Sequence, residues 1–187
     1  MSLPPVLVLS TTSRFERIWW DKGSGADMDG AFYRPQPQDG FFILGDYGQG
    51  NYNSPNGTAL TIRVDQDDPN QPALKPPDDY VLVYSDKGSG ADEDGSFWAP
   101  IPPFGYVVCG HVVQRGYQKP SVPSFRCLRY DLAKSVTIAG NLIWNDRGSG
   151  AEMDVSIYRN LALNTIYAVA SYDTPTETTN APKVLNG

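Results

Sequence analysis

The chain has 187 residues, 40% of them hydrophobic, and no apolar run approaches the roughly 18 to 20 residues that a membrane-spanning helix needs. Fifteen Lys and Arg against 21 Asp and Glu give a formal charge of −6; the basic residues are scattered, which argues against nucleic acid as a partner. Cys109 and Cys127 are too few for a disulfide framework or a four-ligand zinc site and are expected as free buried thiols.

The first residues, Met1 to Pro5, carry neither the basic segment nor the long apolar stretch of a secretory leader. A cytoplasmic location is expected for the chain as synthesised, with secretion by another route left open. Val6 to Leu9 and Phe15 to Trp20 read as two strands leading into an acidic loop, Asp21-Lys22-Gly23-Ser24-Gly25-Ala26-Asp27-Met28-Asp29. Beyond it, residues 30–33 read as a strand stopped by Pro35 and Pro37, and residues 40–45 as its hairpin partner. After a polar stretch, Ala59 to Val64 alternates apolar and polar residues with the period of a strand.

The same order then returns twice. Asp86-Lys87-Gly88-Ser89-Gly90-Ala91-Asp92-Glu93-Asp94 lies between strands predicted at 80–84 and 96–98, followed by strands at 106–113 and 125–130. Asp146-Arg147-Gly148-Ser149-Gly150-Ala151-Glu152-Met153-Asp154 lies between strands at 142–144 and 155–158, with further strands at 165–170 and, weakly, 182–185. The first aspartates of the three loops are 65 and 60 residues apart. Units of that size are too small for a stable core each, so residues 1–187 are expected to form one domain from internal repeats at roughly 13–65, 78–131 and 138–187. Residues 66–79 read as a surface loop between units.

No stretch shows a helical period. The expected fold is all-β and β-prism-like: three four-stranded sheets with pseudo-threefold symmetry, a β-trefoil being the alternative. Internal alignment places Ile18, Val83 and Ile143 in one core row, followed by the aromatics Trp19, Tyr84 and Trp144. Phe32, Phe97 and Ile157 share the next strand position and Tyr33, Trp98 and Tyr158 the one after. Because neighbouring side chains on a strand point to opposite faces, one of these last two rows is expected to look outward.

From Phe15 through about Ala133 the sequence resembles the vacuolar protein sorting-associated protein 62-like family, found in plants, fungi and bacteria. The resemblance is carried by Trp19, by residues 40–47 (GFFILGDY), 79–85 (DYVLVYS) and 97–106 (FWAPIPPFGY), and by 119–132 (KPSVPSFRCLRYDL). The chain departs from the plant relatives in its third unit, which has a further acidic Gly-Ser-Gly loop in place of their long extra region. The family name implies a trafficking role without a residue-level mechanism. The repeated module also resembles prism-shaped domains attached to perforin-like pore-forming proteins, which implies surface recognition and a membrane-surface or pore-forming partner protein.

Each loop carries carboxylates at its first, seventh and ninth residues: Asp21, Asp27 and Asp29; Asp86, Asp92 and Asp94; Asp146, Glu152 and Asp154. Three readings stand side by side. In the first, the leading Asp fixes the turn and Lys22, Lys87 and Arg147 pair with neighbouring carboxylates. In the second, the nine carboxylates, with serine and loop carbonyls, hold Ca2+ as hard oxygen ligands. In the third they accept hydrogen bonds from sugar hydroxyls, with Gly23, Ser24, Gly25, Gly88, Ser89, Gly90, Gly148, Ser149 and Gly150 shaping the sites. Tyr33, Trp98 and Tyr158 then offer flat faces to the sugar's C–H groups.

Enzyme chemistry is not expected, because three near-identical surface loops do not make one cleft holding an acid and a base in different environments. His111 and Cys109 are same-face neighbours on a strand, and a core or edge histidine is expected there, not a catalytic pair. The function expected is a lectin-like module that binds glycans or glycosylated surfaces at three similar loop sites. The alternative is a calcium-stabilised structural or vacuolar-trafficking module without sugar specificity.

Overall fold

The computed structural model describes residues 3–173 and 178–183. The first unit contains β1 (Val6–Thr12), β2 (Phe15–Trp20), β3 (Ala31–Pro35), β4 (Phe42–Ile43), β5 (Tyr47–Gln49) and β6 (Ala59–Asp65). The second contains β7 (Leu74–Lys75), β8 (Asp79–Ser85), β9 (Gly95–Ile101), β10 (Tyr106–Val107), β11 (Val112–Arg115) and β12 (Cys127–Arg129). The third contains β13 (Ala133–Thr137), β14 (Leu142–Asn145), β15 (Ser156–Asn160), β16 (Thr165–Val169) and β17 (Thr178–Pro182). Leu185, at the end of the last expected strand, lies outside the described residues.

The fold is all-β; among the described residues it is built from small antiparallel sheets without a closed barrel, and the one helical element is a single turn at Tyr130–Leu132. Each unit divides its strands between two sheets. The loop-bearing sheets are β2-β3-β5, β8-β9-β11 and β14-β15-β16; the second sheets are β1-β6-β4, β7-β12-β10 and the pair β13-β17. Among the described residues no sheet has four strands, in place of the three four-stranded sheets expected. Each unit also begins earlier than expected, because β1, β7 and β13 pair with the strand that ends the same unit.

The expected hairpin of 30–33 with 40–45 is likewise corrected. Phe42 and Ile43 cross to pair with Ile62 and Thr61, while Tyr47–Gln49, within the stretch read as polar, supplies the partner of β3. The chain changes sheets at Gly45-Asp46 because the three units meet there. Asp46 N–H donates to the His111 carbonyl, His111 N–H to the Ile166 carbonyl and Ile166 N–H to the Asp46 carbonyl, at 3.0, 2.9 and 2.9 Å. A β-carbon at Gly45 would stand 2.9 Å from both the Gly110 Cα and the Thr165 side chain, so the closed triangle requires two glycines and leaves room for one threonine.

A bulge at the same place in each loop-bearing sheet (between Arg17 and Trp19, Leu82 and Tyr84, and Leu142 and Trp144) breaks the strand alternation. Successive residues can then both face inward, and Ile18 with Trp19 and Ile143 with Trp144 are buried together. Trp19, Tyr84 and Trp144 meet Phe32, Phe97 and Ile157 in one central core, with Trp19 and Trp144 edge to face at 5.8 Å.

Neither strand row looks outward. Tyr33, Trp98 and Tyr158 are buried too, on the opposite face of their sheets, Tyr33 against Tyr47 and Trp98 among Ile43, Val112 and Phe125. Their polar atoms bind within the protein, to the Asn53 carbonyl, the Ser96 hydroxyl and the Asp173 carbonyl respectively. They offer no flat face to a sugar.

Candidate functional site: a ring of three acidic loops

Each loop is held from inside by its first aspartate. Asp21 Oδ1 accepts from the Gly30 N–H at 2.9 Å and the Tyr52 hydroxyl at 2.6 Å, and Oδ2 from the Ser24 hydroxyl at 3.3 Å. Asp86 is bound in the same way by Gly95, Tyr117 and Ser89, and Asp146 by Val155, Tyr172 and Ser149. Ser24, Ser89 and Ser149 each accept in turn from the N–H two residues on. Asp21 gains a fourth donor, Trp144 Nε1 at 3.2 Å, which fills the acceptor sites of a carboxylate.

The six glycines of the loops all have positive φ, between 73° and 85°, which turns the chain tightly over these buried acids. The glycines also let the loops touch. Asp27 N–H donates to the Arg147 carbonyl, Asp92 N–H to the Lys22 carbonyl and Glu152 N–H to the Lys87 carbonyl, at 2.8 to 2.9 Å. Loop one thus rests on loop three, loop two on loop one and loop three on loop two, a head-to-tail contact that closes after three copies. Gly23 and Gly148 lie under the carboxylates of Asp92 and Asp27, which would stand 2.3 and 2.5 Å from a β-carbon, and Gly88 lies under Glu152. Beneath the ring, Trp19 Nε1 donates to the Glu93 carbonyl and Trp144 Nε1 to that of Met28, so each indole props a loop of a neighbouring unit.

The first reading expected the loop cations to pair with carboxylates; among the described residues no ion pair joins them to one, and each lies over an aromatic ring. Lys22 Nζ lies 5.0 Å from the Tyr52 ring centroid and 3.9 Å from that of Trp20, Lys87 Nζ 5.0 Å from Tyr117, and the Arg147 guanidinium 4.3 Å from Tyr172. The three half-buried tyrosines lie outside the loop motif read from the sequence. Their signal is a Tyr just after the third strand of each loop-bearing sheet, at Gly50-Asn51-Tyr52, Arg115-Gly116-Tyr117 and Ala170-Ser171-Tyr172. Burial, the hydrogen bond to the first aspartate and the charge of the ninth hold each hydroxyl well above the usual tyrosine range.

The site residues therefore separate into two sets. Asp21, Asp86, Asp146 and the three serines are buried and serve the turn, while Asp27, Asp29, Asp92, Asp94, Glu152 and Asp154 are exposed around the ring. Among the described residues no three His, Cys, Asp or Glu side chains gather as a metal-binding group. Donors from within the protein already engage the oxygens of Asp21, Asp86 and Asp146. His111 is buried, with Nδ1 accepting the Ala168 N–H, and the Cys109 and Cys127 thiols are free and buried. Burial drives the Cys127 thiol up to about 12 and that of Cys109 higher still.

The family model for vacuolar protein sorting-associated protein 62 matches residues 5–166. The chain belongs to that family. No curated protein matches it in sequence. Among solved structures it is similar to GNIP1Aa from Chromobacterium piscinae, with 30% identity and a TM-score of 0.79 over 91% of this chain and 34% of that one. The family member described here thus spans about a third of that neighbour's length. No helix among its described residues is long and apolar enough to cross a membrane.

Proposed function

We propose that the ring of loops is the contact face of a non-enzymatic, lectin-like recognition module, and that the three units are arranged as a β-prism about a pseudo-threefold axis. The observation that carries the reading is the cyclic closure of the loops. It repeats one constellation three times around a single ring: an exposed carboxylate (Asp29, Asp94 or Asp154), a half-buried tyrosine and the cation lying over it. A carboxylate accepts paired hydrogen bonds from vicinal sugar hydroxyls, the tyrosine edge contacts C–H groups, and Lys or Arg donates to a ring or glycosidic oxygen.

One such shallow site binds weakly, with a Kd in the millimolar range, about −4 kcal/mol. Three on a rigid support can engage a clustered glycan surface together, raising avidity by roughly 10² to 10⁴ without any new contact. A glycosylated cell or membrane surface is the partner this geometry suits, and a larger protein carrying the module would be delivered to that surface.

A broad glycan array, probed in millimolar calcium and in chelator, tests the proposal. Binding to a subset of glycans in both conditions is expected. Absence of binding to every glycan would reject the proposal, and binding lost in chelator would point instead to a calcium-bridged contact.

A further inference from the structure

Away from the ring, an open cleft of about 350 Å³ lies between the start of β8 and the connector from β11 to β12, lined by Pro77, Tyr80, Pro120, Ser121, Pro123 and Arg126. Its volume is at the lower end of the range for small-ligand sites, about 300 to 1,000 Å³. Tyr80 is the second residue of β8 and the acidic loop follows the last, which separates the cleft from the ring by roughly 20 Å of strand.

The chemistry of the walls is specific. Arg126 is held in place by two hydrogen bonds from Nη1, to the Pro123 and Phe125 carbonyls at 2.8 Å each, and by the Phe42 ring, 4.0 Å from its guanidinium carbon. No carboxylate among the described residues lies within ion-pair distance of it. The other acid–base pair nearby is closed on itself, Lys119 with Asp79 at 2.8 Å. Burial without a counter-charge lowers the Arg126 pKa, as expected for a cation lacking its anion.

The Tyr80 hydroxyl lines the cleft near the Val122 backbone N–H, which can only donate to it, so the hydroxyl proton is left to donate. Proline rings and the tyrosine give the remaining walls apolar C–H and aromatic faces. Such a site pairs a fixed guanidinium, whose planar fork matches a carboxylate, with surfaces suited to the C–H side of a pyranose. Its open side would let the ring continue into a longer chain.

We propose that this cleft is a second binding site, separate from the acidic ring, for a sugar ring bearing a carboxylate, a terminal uronic acid being the simplest case. Arg126 binds the carboxylate, Tyr80 donates to a neighbouring oxygen and the prolines pack against the ring. The placement has a charge logic. The acidic ring repels an anionic sugar, whereas Arg126 attracts one, so the two sites would read different parts of the same surface.

Amide NMR titrations of the whole chain with D-glucuronate, D-glucose and acetate test this inference. Saturable glucuronate shifts at Ser121, Val122 and Arg126 are expected, with glucose and acetate each binding at least about tenfold more weakly. Arg126→Gln should lower glucuronate affinity at least about tenfold. Because Arg126 also holds two carbonyls, Ser121→Trp at an exposed position provides a second variant, which should abolish the cleft shifts while leaving the remaining spectrum in place. The proposal is overturned if glucuronate shifts no cleft amide up to about 50 mM, shifts only the acidic loops, binds no better than acetate or glucose, or binds Ser121→Trp as well as the parent.

Discussion

The indole of Trp19 occupies the space that a side chain at residue 95 would need: a β-carbon at Gly95 would stand 2.4 Å from its ring atoms. Gly30 has the same relation to Trp144, at 2.7 Å. In the third loop the corresponding residue is Val155, and the aromatic that falls there by the same cyclic order is the smaller Tyr84, packed in the same core. Chain and ring size are thus matched within one sequence. Gly95→Val should destabilise the protein by about 1 to 3 kcal/mol through overpacking, and adding Trp19→Tyr should recover part of that loss. Urea denaturation of the two single variants and the double variant checks this; no coupling between the sites would contradict the match.

The buried aspartates make a second prediction. Tyr52→Phe removes a donor from Asp21, and Tyr117→Phe and Tyr172→Phe do the same for Asp86 and Asp146. Each should cost about 1.5 to 3 kcal/mol, as for other hydrogen bonds to a charged group, with the half-exposed rings placing the loss toward the lower figure. Thermal melts of the three variants should fall by similar amounts, since the three environments are alike.

These two relationships differ in how far they can be read without a structure. The loops, their flanking strands and the core rows around Trp19 and Phe32 are legible because turn residues and alternation are local signals repeated three times. The fate of Tyr33, Trp98 and Tyr158 is not, since strand alternation separates two faces but does not say that both are covered. The change of sheet at Gly45-Asp46 is likewise hidden. Asp46, His111 and Ile166 occupy equivalent places through their backbones alone, and their side chains share no chemistry that an internal alignment would recognise.

His111 predicts acid sensitivity. Its Nδ1 accepts the Ala168 N–H, its ring stacks on Tyr167 at 4.1 Å, and burial lowers its pKa from 6.5 to about 4. With the folded pKa below the unfolded one, the unfolded chain binds more protons between pH 6.5 and 4. The contribution of His111 is therefore complete above about pH 6.5 and declines by about 3 kcal/mol as pH falls to 4. Buried Asp46 acts in the opposite sense: desolvation raises its carboxyl pKa against the pull of Arg34, so its contribution is greatest in acid and declines as pH rises through the folded value. Denaturation midpoints at pH 7.0, 5.5 and 4.5 should fall in that order, and the drop from 7.0 to 5.5 should shrink in His111→Gln.

The central claim is that three equivalent sites on the loop ring act together, and the measurement that tests it most directly is binding to a glycan-coated surface by variants in which Asp29, Asp94 and Asp154 are replaced by Asn one, two and three at a time. All three are exposed, so the fold should persist in each variant. Stepwise loss of surface avidity is expected, by a total of roughly 10² to 10⁴ in the triple variant, while affinity for a free monosaccharide per remaining site changes little. A folded triple variant that binds the surface as well as the parent would contradict the account.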